Sequence, residues 1–341
     1  MFNAEKYIKR CLESVLAQSF KDFEVIVVDD VSTDRSVEIV EEIAPKFDGR
    51  LKLIKRKTNS GGCAVPRNIG LSRARGKYVF FIDNDDMIMP NALEILHSIA
   101  EKTVADVVHA ERWYEPQNPG IGNEKTVELK INTFELGKST DKIMIETSEL
   151  AERIRLYTQR RFHWHVWNKF FRRDFLIEND IEFPAIFTGE DTMFCFFCLC
   201  LAKTYVRIPN VFYIWDTRED SVSRRFGSLE TYLKKYVAFF VECTDILNSF
   251  MDGLELFNQQ PQYRYMVLDF FIRDHHCYIT KLYKDHKSFQ IEPLLRAELQ
   301  KTTAERAHLT RQLFHLVNIY RLQIDQFKRV ISALQKQLEG K

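Results

Sequence analysis

Residues 79–86 read Val-Phe-Phe-Ile-Asp-Asn-Asp-Asp, which is four apolar residues followed directly by three carboxylates in four positions. The pattern predicts a buried strand that leaves the core and ends in a cluster of negative charge. Because like charges at this spacing repel, a divalent cation would stabilise the cluster, and carboxylate oxygens suit Mg²⁺ or Mn²⁺ bound to a diphosphate. The alternative is a solvated, Asp-rich turn before the helix predicted to begin near Pro90.

The composition is that of a globular protein with a sizeable core. The chain has 341 residues, of which 45% are hydrophobic, and its 49 Lys and Arg residues balance 48 Asp and Glu residues. This length predicts one large domain plus an appendage. Because the net charge is near zero, there is no global basic field, and we expect no nucleic-acid partner.

The cysteines and the N-terminal segment both favour a reducing compartment. Of the seven cysteines, Cys195, Cys198 and Cys200 fall in one very apolar run without the spacing of a metal site. We therefore expect buried free thiols rather than zinc ligands. The N-terminus lacks the apolar segment of a signal peptide, and no apolar stretch approaches ~20 residues. These features predict a cytoplasmic protein and leave peripheral contact with the inner face of the cell membrane open.

Apolar strands alternate with amphipathic helices along the first part of the chain. Residues 23–28 are a near-continuous apolar run that ends in Asp29 and Asp30, which is typical of a buried parallel strand. The alternation predicts βαβ units and a mainly parallel sheet, an α/β fold. The predicted strands are 23–28, 51–55, 79–82 and 105–110, and the predicted helices are 6–19, 34–44, 64–75, 90–101 and 148–157.

The pattern becomes wholly helical after Leu229. Amphipathic, aromatic-rich helices are predicted over 229–251 and 263–283. Residues 294–338 contain no Pro or Gly and repeat apolar residues at spacings of three and four, which is a heptad seam. Such a helix either packs on the body of the protein or mediates self-association. The sequence does not separate the two, and we expect a homo-oligomer.

Several motifs, taken in order, resemble those of the family 2 inverting glycosyltransferases, which have the GT-A fold. The resemblance covers residues 1–225 and rests on order and spacing, since each motif alone is short. The matching stretches are 2–8 (Phe-Asn-Ala-Glu-Lys-Tyr-Ile), 16–20 (Leu-Ala-Gln-Ser-Phe), 27–34 (Val-Val-Asp-Asp-Val-Ser-Thr-Asp), 59–62 (Asn-Ser-Gly-Gly), 66–70 (Pro-Arg-Asn-Ile-Gly), 83–86 (Asp-Asn-Asp-Asp), 167–173 (Trp-Asn-Lys-Phe-Phe-Arg-Arg) and 189–191 (Gly-Glu-Asp).

The resemblance implies a Rossmann-like GT-A sheet with helices on both faces, followed by a helical C-terminal region that ends in a long amphipathic or coiled-coil helix. The implied domains are a glycosyltransferase domain over 1–225, a helical extension over 226–290 and an oligomerisation helix over 291–341. Family members usually begin with an apolar strand just before the first loop, and this chain starts at Met1-Phe2-Asn3. We therefore expect a gap beside residues 25–28, with part of the nucleotide pocket absent.

The resemblance also implies a donor site that binds a UDP-sugar together with Mn²⁺ or Mg²⁺. Asp85 is the expected direct metal ligand. Asp83 is the second candidate ligand and is expected to contact the ribose or a metal-bound water. Asp86 either caps the next turn or touches the donor sugar. The other residues expected at the nucleotide-sugar are Phe2, Asn3, Asp29, Asp30, Arg67, Asn84, Lys169 and Arg218.

Some of these donor-site residues have a structural alternative. By resemblance Asp30 contacts the nucleotide base, and Asp29 either does the same or bonds neighbouring backbone. The alternative for both is that they cap the following helix. Arg67 lies in the first turns of a helix after a Gly-rich loop, where a guanidinium suits a phosphate or base. Its alternative is a surface ion pair.

The acceptor side is expected around Gly189-Glu190-Asp191. An inverting transfer proceeds by one displacement, so it needs one general base and no enzyme nucleophile. By resemblance, Asp191 is that base, and Glu190 is the second candidate or positions the acceptor. Capping of the following helix is the alternative for both. Trp164 and Trp167 either offer aromatic faces to a sugar ring or pack in the core.

Together these implications predict a metal-dependent inverting glycosyltransferase. It would move a sugar from a UDP-sugar to a saccharide or lipid-linked saccharide in the synthesis of a surface polysaccharide such as capsule or lipopolysaccharide. Two alternatives stay open. A nucleotidyltransferase would carry a Gly-rich loop with Lys or Arg after its first strand, and none is visible here. A catalytically degenerate transferase fold would serve as an assembly module through its C-terminal helix.

Overall fold

The computed structural model describes residues 1–116, 129–133, 141–186, 188–216 and 229–271, and the single residues 273, 293, 297, 329 and 330. Within this part, residues 230–241 are described by their backbone alone. The chain divides into two compact units, Met1–Arg224 and Arg225–Lys341.

The strands described in the first unit form two sheets. They are β1 (Val25–Asp29), β2 (Leu51–Lys55), β3 (Tyr78–Phe80), β4 (Met87–Ile88), β5 (Val107–Pro116), β6 (Leu129–Thr133), β7 (Met144–Ile145), β8 (Lys169–Arg172) and β9 (Tyr205–Ile214). β1 and β2 pair in parallel as a sheet of their own. The larger sheet has the strand order β3-β8-β5-β9-β4, with β6 added beside β5 and β7 beside β9.

The larger sheet is mixed, so the prediction of a mainly parallel sheet is wrong for it. β5 and β9 pair in parallel, whereas β8 runs antiparallel to both β3 and β5 and lies between them. The pairings of β4 and β7 with β9 and of β6 with β5 are also antiparallel. Part of the difference arises from β8, which makes two of the antiparallel pairings and whose Phe170 and Phe171 are buried between β3 and β5. A strand of four residues inside an aromatic stretch leaves no periodic signal to predict it.

Helices connect the strands largely as the sequence predicts. They are α1 (Ile8–Leu16), α2 (Ser36–Ile43), α3 (Ala64–Arg73), α4 (Ala92–Thr103), α5 (Leu150–Thr158), α6 (Arg173–Glu178) and α7 (Glu190–Leu201), with a 3₁₀ turn at Ala44–Phe47. α1 buries Ile8, Leu12 and Val15, which share one face of a helix because they are spaced four and three apart. This face joins residues of α4, β5 and β9 in the main core.

A cavity of about 410 Å³ is lined by both β1 and β3, the edge strands of the two sheets. Met1 lies beside the end of β1. Its amino group donates to the carbonyl oxygen of Val28 at 2.7 Å, and the N–H of Asp30 donates to the carbonyl oxygen of Met1 at 2.8 Å. This is the bonding of one residue in a parallel ladder. The cavity lies beside residues 25–28.

The described part of the second unit is helical. It contains α8 (Leu229–Asp252), α9 (Glu255–Gln259) and a further helical segment at 261–271. The guanidinium of Arg264 pairs with the carboxylate of Asp252 at 2.7 Å. The heptad seam at 294–338 lies almost wholly outside the described residues, so the oligomerisation helix stays a prediction. In the part of the chain that is described, no helix combines the length and the apolar character needed to span a bilayer.

Candidate active site

The acidic residues 83–86 form a tight turn just after β3. β3 ends at Phe80, two residues earlier than predicted, and the N–H of Asp86 donates to the carbonyl oxygen of Asp83 at 3.1 Å. The side chain of Asp83 is 35% exposed, and Asp85 is also partly exposed. Asp86 is only 1% exposed. Two of the three carboxylates are therefore accessible to a ligand, and the third belongs to the protein interior.

Asp86 anchors this turn from inside the core. Its carboxylate accepts the hydroxyl of Tyr213 at 2.7 Å and the backbone N–H of Asp216 at 2.9 Å. The Tyr213 hydroxyl in turn accepts the N–H of Asp83 at 3.1 Å. Burial, followed by the charges of Asp85 and Asp83, raises the pKa of Asp86 well above its ordinary value. Neither of the two roles considered for Asp86, capping or contact with the donor sugar, describes this buried anchor.

Arg10 of α1 closes the same turn from the other side. It pairs with the buried carboxylate of Asp216 and also donates to the carbonyl oxygen of Asp85 at 2.8 Å. Sequence reasoning missed Arg10, Tyr213 and Asp216. These residues belong to no short motif, and they reach the turn only through the tertiary fold.

Arg67 connects the acidic turn to the start of α7. Its guanidinium donates to Asp83 Oδ1 at 2.8 Å and to Glu190 Oε1 at 2.9 Å. It also lies over the ring of Phe183, 5.3 Å from the centroid. Burial opposes the charge, but Asp83 and then further acidic groups raise the pKa of Arg67 above its ordinary value, so it stays ionised. Arg67 is thus a mostly buried bridge between two carboxylates, not the surface ion pair considered as its alternative.

Glu190 and Asp191 open α7. The N-cap residue Gly189 has φ +85°, a conformation that glycine adopts without strain. Glu190 is 8% exposed and faces Arg67, and burial followed by the charge of Asp191 raises the pKa of Glu190 to about 7. Asp191 is partly exposed and accepts the N–H of Thr192 at 2.8 Å. Burial also raises the pKa of Asp191, although Arg67 acts in the opposite direction. Carboxyls with raised pKa values are suited to proton transfer near neutral pH.

Asp29 and Asp30 lie at the end of β1, as predicted, and both are buried. The carboxylate of Asp30 pairs with Arg56 and accepts the hydroxyl of Ser60 at 2.8 Å and its N–H at 3.0 Å. Burial tends to raise the pKa of Asp30, but the bonds from Ser60 and then Arg56 lower it below its ordinary value. Asp29 accepts the N–H of Ser32 at 3.3 Å. Both carboxylates therefore shape the adjoining loops.

The first loop is fastened to the loop after β1. The N–H of Asn3 donates to Ser32 Oγ at 3.0 Å, and the side-chain oxygen of Asn3 accepts the N–H of Thr33 at 2.8 Å. Phe2 is 50% exposed beside this contact. Val31, within the fastened loop, has φ +69°, which is strained for a β-branched residue. The structure thus brings Phe2 and Asn3 to the same region as Asp29 and Asp30.

Lys169 is buried. It is 1% exposed, and its ammonium donates to the carbonyl oxygens of His163 and His165 at 2.7 and 2.6 Å and to the Asn168 side chain at 2.9 Å. Burial lowers the pKa of Lys169. An ammonium has three donors, and all three are used within the protein. In this arrangement Lys169 holds the 163–169 loop.

The remaining predicted site residues divide into two groups. Asn84 is partly exposed in the acidic turn and also lines the cavity beside β1. Arg218 lies outside the described residues. Among the residues that are described, no three His, Cys, Asp or Glu side chains form a ready metal-binding group. The fold thus brings Asp83 and Arg67 together with Glu190, which precedes Asp191, and Asp83 and Asp85 are the partly exposed carboxylates of the acidic turn.

Comparison with known proteins identifies relatives of this chain. The model of the family described as "Glycosyl transferase family 2" matches residues 1–173. The glycosyltransferase EpsJ of Bacillus subtilis is 29% identical over 229 residues, which are 65% of this chain and 61% of EpsJ. The poly(ribitol-phosphate) beta-N-acetylglucosaminyltransferase TarS of Staphylococcus aureus is 29% identical over 254 residues, which are 73% of this chain and 39% of TarS. The match therefore spans less than two thirds of either relative's own length.

Solved structures give the same result at the level of the fold. The crystal structure of S. aureus TarS 1–349 superposes with a TM-score of 0.67 at 21% identity, over 96% of this chain and 89% of that chain. The complex of the same fragment with UDP-GlcNAc gives a TM-score of 0.67 at 22% identity, over 96% and 90%. At this level of identity the similarity shows a shared α/β fold of the GT-A type and nothing finer.

Proposed function

The chain belongs to glycosyl transferase family 2, and from this membership we propose that it is a metal-dependent inverting glycosyltransferase with a UDP-sugar donor. The observation that carries the proposal is the Arg67 bridge, which joins Asp83 of the acidic turn to Glu190 beside Asp191. A transferase must hold donor and acceptor in line, and this bridge fixes the two sets of carboxylates that would contact them.

The metal would be held by Asp85 and Asp83. Mg²⁺ and Mn²⁺ are commonly bound by one or two carboxylates together with substrate phosphates, so a complete protein ligand set is not required. Burial is the main cause of the raised pKa of Asp86, and the charges of Asp85 and Asp83 add a repulsion that a bound cation would relieve. A bound metal supplies a Lewis acid that neutralises the leaving diphosphate.

Asp191 is the proposed general base. It takes the proton of the acceptor hydroxyl as that oxygen bonds to the anomeric carbon. The bond from this carbon to the diphosphate oxygen breaks, UDP leaves, and the configuration is inverted. Asp191 suits this role better than Glu190 because it is partly exposed, whereas Glu190 is 8% exposed and engaged by Arg67. Glu190 then positions the acceptor side.

The nucleotide is proposed to lie along the loops after β1 and β3. Asp29, Asp30 and the Phe2-Asn3 loop are gathered there by the bonds described above, and Asn84 belongs to the acidic turn. Lys169 contributes through the loop that it holds. Contact between Arg218 and the diphosphate stays part of the proposal.

The relatives suggest which substrates to test first. TarS is named as a transferase of N-acetylglucosamine to poly(ribitol-phosphate), and its fragment was crystallised with UDP-GlcNAc. UDP-GlcNAc is therefore the first donor to offer this chain. The proposed acceptor class is a surface or cell-wall polymer, including capsular, lipopolysaccharide and lipid-linked saccharides, which agrees with a cytoplasmic site of synthesis.

The second candidate function is a transferase fold without turnover that serves as an assembly module through its C-terminal helix. Binding of a nucleotide separates the two candidates.

Thermal unfolding with UDP, GDP, CMP and TDP, each with and without Mn²⁺, tests the proposal. We expect a shift that needs both UDP and Mn²⁺, since a ligand at a hundred times its Kd stabilises the folded state by about 2.7 kcal/mol. Asp85→Asn should lose the Mn²⁺-dependent part of the shift. Asp48→Asn is the matched control, because the Asp48 side chain is 86% exposed and its φ of +51° is one that Asn accepts.

A transfer assay completes the test. Asp191→Asn should keep the shift with UDP and Mn²⁺ and lose transfer from UDP-GlcNAc or another UDP-sugar. If transfer persists in Asp191→Asn, the base lies elsewhere. If no nucleotide shifts the unfolding of the unsubstituted protein, the assembly module is the better account.

A further inference from the structure

All four tryptophans of the chain lie in one cluster. The ring of Trp113 makes edge contacts with Trp167 at 5.7 Å and with Trp215 at 6.5 Å between centroids. Trp167 stacks on Trp215 at 6.3 Å and on His165 at 4.7 Å. Trp164 joins through His165, 5.5 Å away. Tryptophan is rare in this chain, so its concentration in one place calls for an account beyond general core packing.

The cluster has a buried base and partly exposed upper rings. Trp113 and Trp167 are each 3% exposed, whereas Trp164, His165 and Trp215 are all partly exposed. The base is fixed by the Trp113 indole N–H, which donates to Glu115 at 2.9 Å. The exposed rings therefore rest on a rigid support, which lowers the entropy lost when a ligand stacks on them.

The cluster is joined to the acidic turn of the proposed active site by direct contacts. Trp167 stacks on Tyr213 at 4.5 Å, and the hydroxyl of Tyr213 bonds Asp86 in the acidic turn. Trp215 is followed by Asp216, whose N–H also bonds Asp86. On the other side, Lys169 holds the carbonyl oxygen of His165, and its charge acts on the pKa of Asp191. The cluster is thus attached to the proposed metal turn through Tyr213 and Asp216, and the Lys169 charge that acts on Asp191 lies beneath His165.

The chemistry of these rings favours a neutral ring-shaped ligand. A pyranose has an apolar C–H face that lies flat on an aromatic ring, whereas an acyclic polyol phosphate offers no such face and carries charge at every unit. The only titratable group among the three rings is His165, which is partly exposed although its Nδ1 atom is buried. Burial, followed by the charge of Lys169, lowers the pKa of His165 to about 3, so it is neutral at physiological pH and adds no attraction for phosphate.

We propose that Trp164, His165 and Trp215 form an aromatic shelf that stacks on a pyranose ring of the acceptor and presents its hydroxyl to Asp191. The proposal rests on the proposed function, which it deepens by naming the acceptor class: a cyclic sugar rather than an acyclic polyol phosphate. Trp215 sets the position of the ring, because it continues β9 next to the residues that hold the acidic turn.

Intrinsic fluorescence reports on this shelf directly, since every tryptophan of the chain belongs to the cluster. The full chain, with UDP and Mn²⁺ present, is titrated with lactose, cellobiose and N,N′-diacetylchitobiose, and separately with ribitol phosphate oligomers. We expect a saturable change in emission with at least one pyranose disaccharide and none with the ribitol phosphate oligomers. The proposal is overturned if only the ribitol phosphate oligomers change the emission. It is also overturned if none of the saccharides changes it.

Substitutions then locate the effect. Trp215→Leu should raise the acceptor KM about tenfold, the loss expected for one aromatic contact, with kcat and the UDP-dependent thermal shift unchanged. Trp215→Phe should recover most of the affinity. Trp164→Leu is the second variant, and Tyr265→Leu is the control, because Tyr265 is 69% exposed in the other unit. An acceptor KM within twofold of the unsubstituted value in both tryptophan variants contradicts the shelf.

These outcomes are distinct from a failure of the proposed function. If the protein neither binds UDP nor transfers a sugar, the proposed function is wrong whatever the emission shows. If UDP and Mn²⁺ bind and transfer proceeds while pyranoses leave the emission unchanged, the shelf is wrong and the proposed function stands.

Discussion

Removal of one hydroxyl, that of Tyr213, should loosen the acidic turn without creating a large cavity. The hydroxyl donates to the buried carboxylate of Asp86 at 2.7 Å and accepts the N–H of Asp83 at 3.1 Å, and Tyr213 is 0% exposed. In Tyr213→Phe the ring stays, but both partners lose a bond. A bond to a charged group contributes about 1.5–3 kcal/mol and a neutral one about 0.5–1.5 kcal/mol. We therefore expect a loss of about 2–4 kcal/mol in the free energy of unfolding where Asp86 is ionised, and of about 1–3 kcal/mol where it is protonated and both bonds are neutral.

Tyr205→Phe is the matched control. Tyr205 lies on the same strand, β9, and is 1% exposed, but its hydroxyl has one neutral partner, His109 Nδ1 at 3.2 Å. We expect a loss of about 1 kcal/mol. Urea unfolding followed by tryptophan fluorescence measures both variants, since the tryptophans all lie in the first unit. A loss in Tyr213→Phe no greater than in Tyr205→Phe would refute the two-bond account.

The destabilisation of Tyr213→Phe relative to the unsubstituted protein should depend on pH, and the sign of this dependence can be predicted. The folded pKa of Asp86 is raised above its unfolded value, so its contribution to stability is fully present below the unfolded pKa and is lost as pH rises through the folded pKa. The bond from Tyr213 lowers the pKa of Asp86, so its removal raises that pKa further. The stability difference between Tyr213→Phe and the unsubstituted protein should therefore increase as pH rises through the folded pKa of Asp86. A difference that does not change with pH would show that Asp86 is not the group concerned.

Three further changes test other parts of the structure. Val31→Gly relieves the backbone strain at a residue whose φ is +69°. It should stabilise the protein by about 1 kcal/mol in urea unfolding, since the strain of about 1–2 kcal/mol exceeds the entropy cost of glycine. A destabilised variant would contradict this. Arg67→Gln removes the guanidinium that Asp83 and Glu190 share and should reduce the free energy of unfolding by about 3–5 kcal/mol. Arg67→Lys should keep the fold while the transfer rate falls by about 10²-fold. Normal transfer in Arg67→Lys would show that the bridge is dispensable. An extended apolar segment of about six residues joined ahead of Met1 should fill the cavity beside β1 and raise Tm. A Gly/Ser segment of equal length is the control and should leave Tm unchanged. Equal Tm values for the two variants would show that the cavity does not accept a strand.

The parts of the site that adjoin in sequence were predictable, and the parts joined only by folding were not. Three carboxylates after an apolar run mark the acidic turn, because the strand direction and the charge are both visible in eight residues. Tyr213 and Asp216 bond Asp86 across 127 and 130 residues, and no local pattern contains that information. The sequence shows which groups carry charge, but only the fold shows which of them share a partner.

Two residues illustrate how burial changes a role expected from residue type. The resemblance implies that Lys169 contacts the nucleotide-sugar, and in the structure its ammonium donates to backbone carbonyl oxygens. Trp167, considered for a sugar ring, lies in the core, whereas Trp215, which no motif includes, is partly exposed. Apolar periodicity predicts which elements exist, as for α1 and α4, but it does not resolve how the short strand β8 inserts between others.

The hydrogen bonds around the acidic turn join residues that are far apart in the sequence, which has a consequence for synthesis of the chain in the cell. The turn is held by hydrogen bonds between residues that are 127, 130 and 206 positions apart in the sequence, and the last of these joins Arg10 to Asp216. Contacts of such separation close slowly and late. During synthesis the turn leaves the ribosome well before its anchors do, so any chain that terminates before residue 216 carries the acidic residues without the scaffold that arranges them. Incomplete translation products should therefore be inert rather than partly active, and transfer activity should return after sheet formation when the denatured protein is refolded.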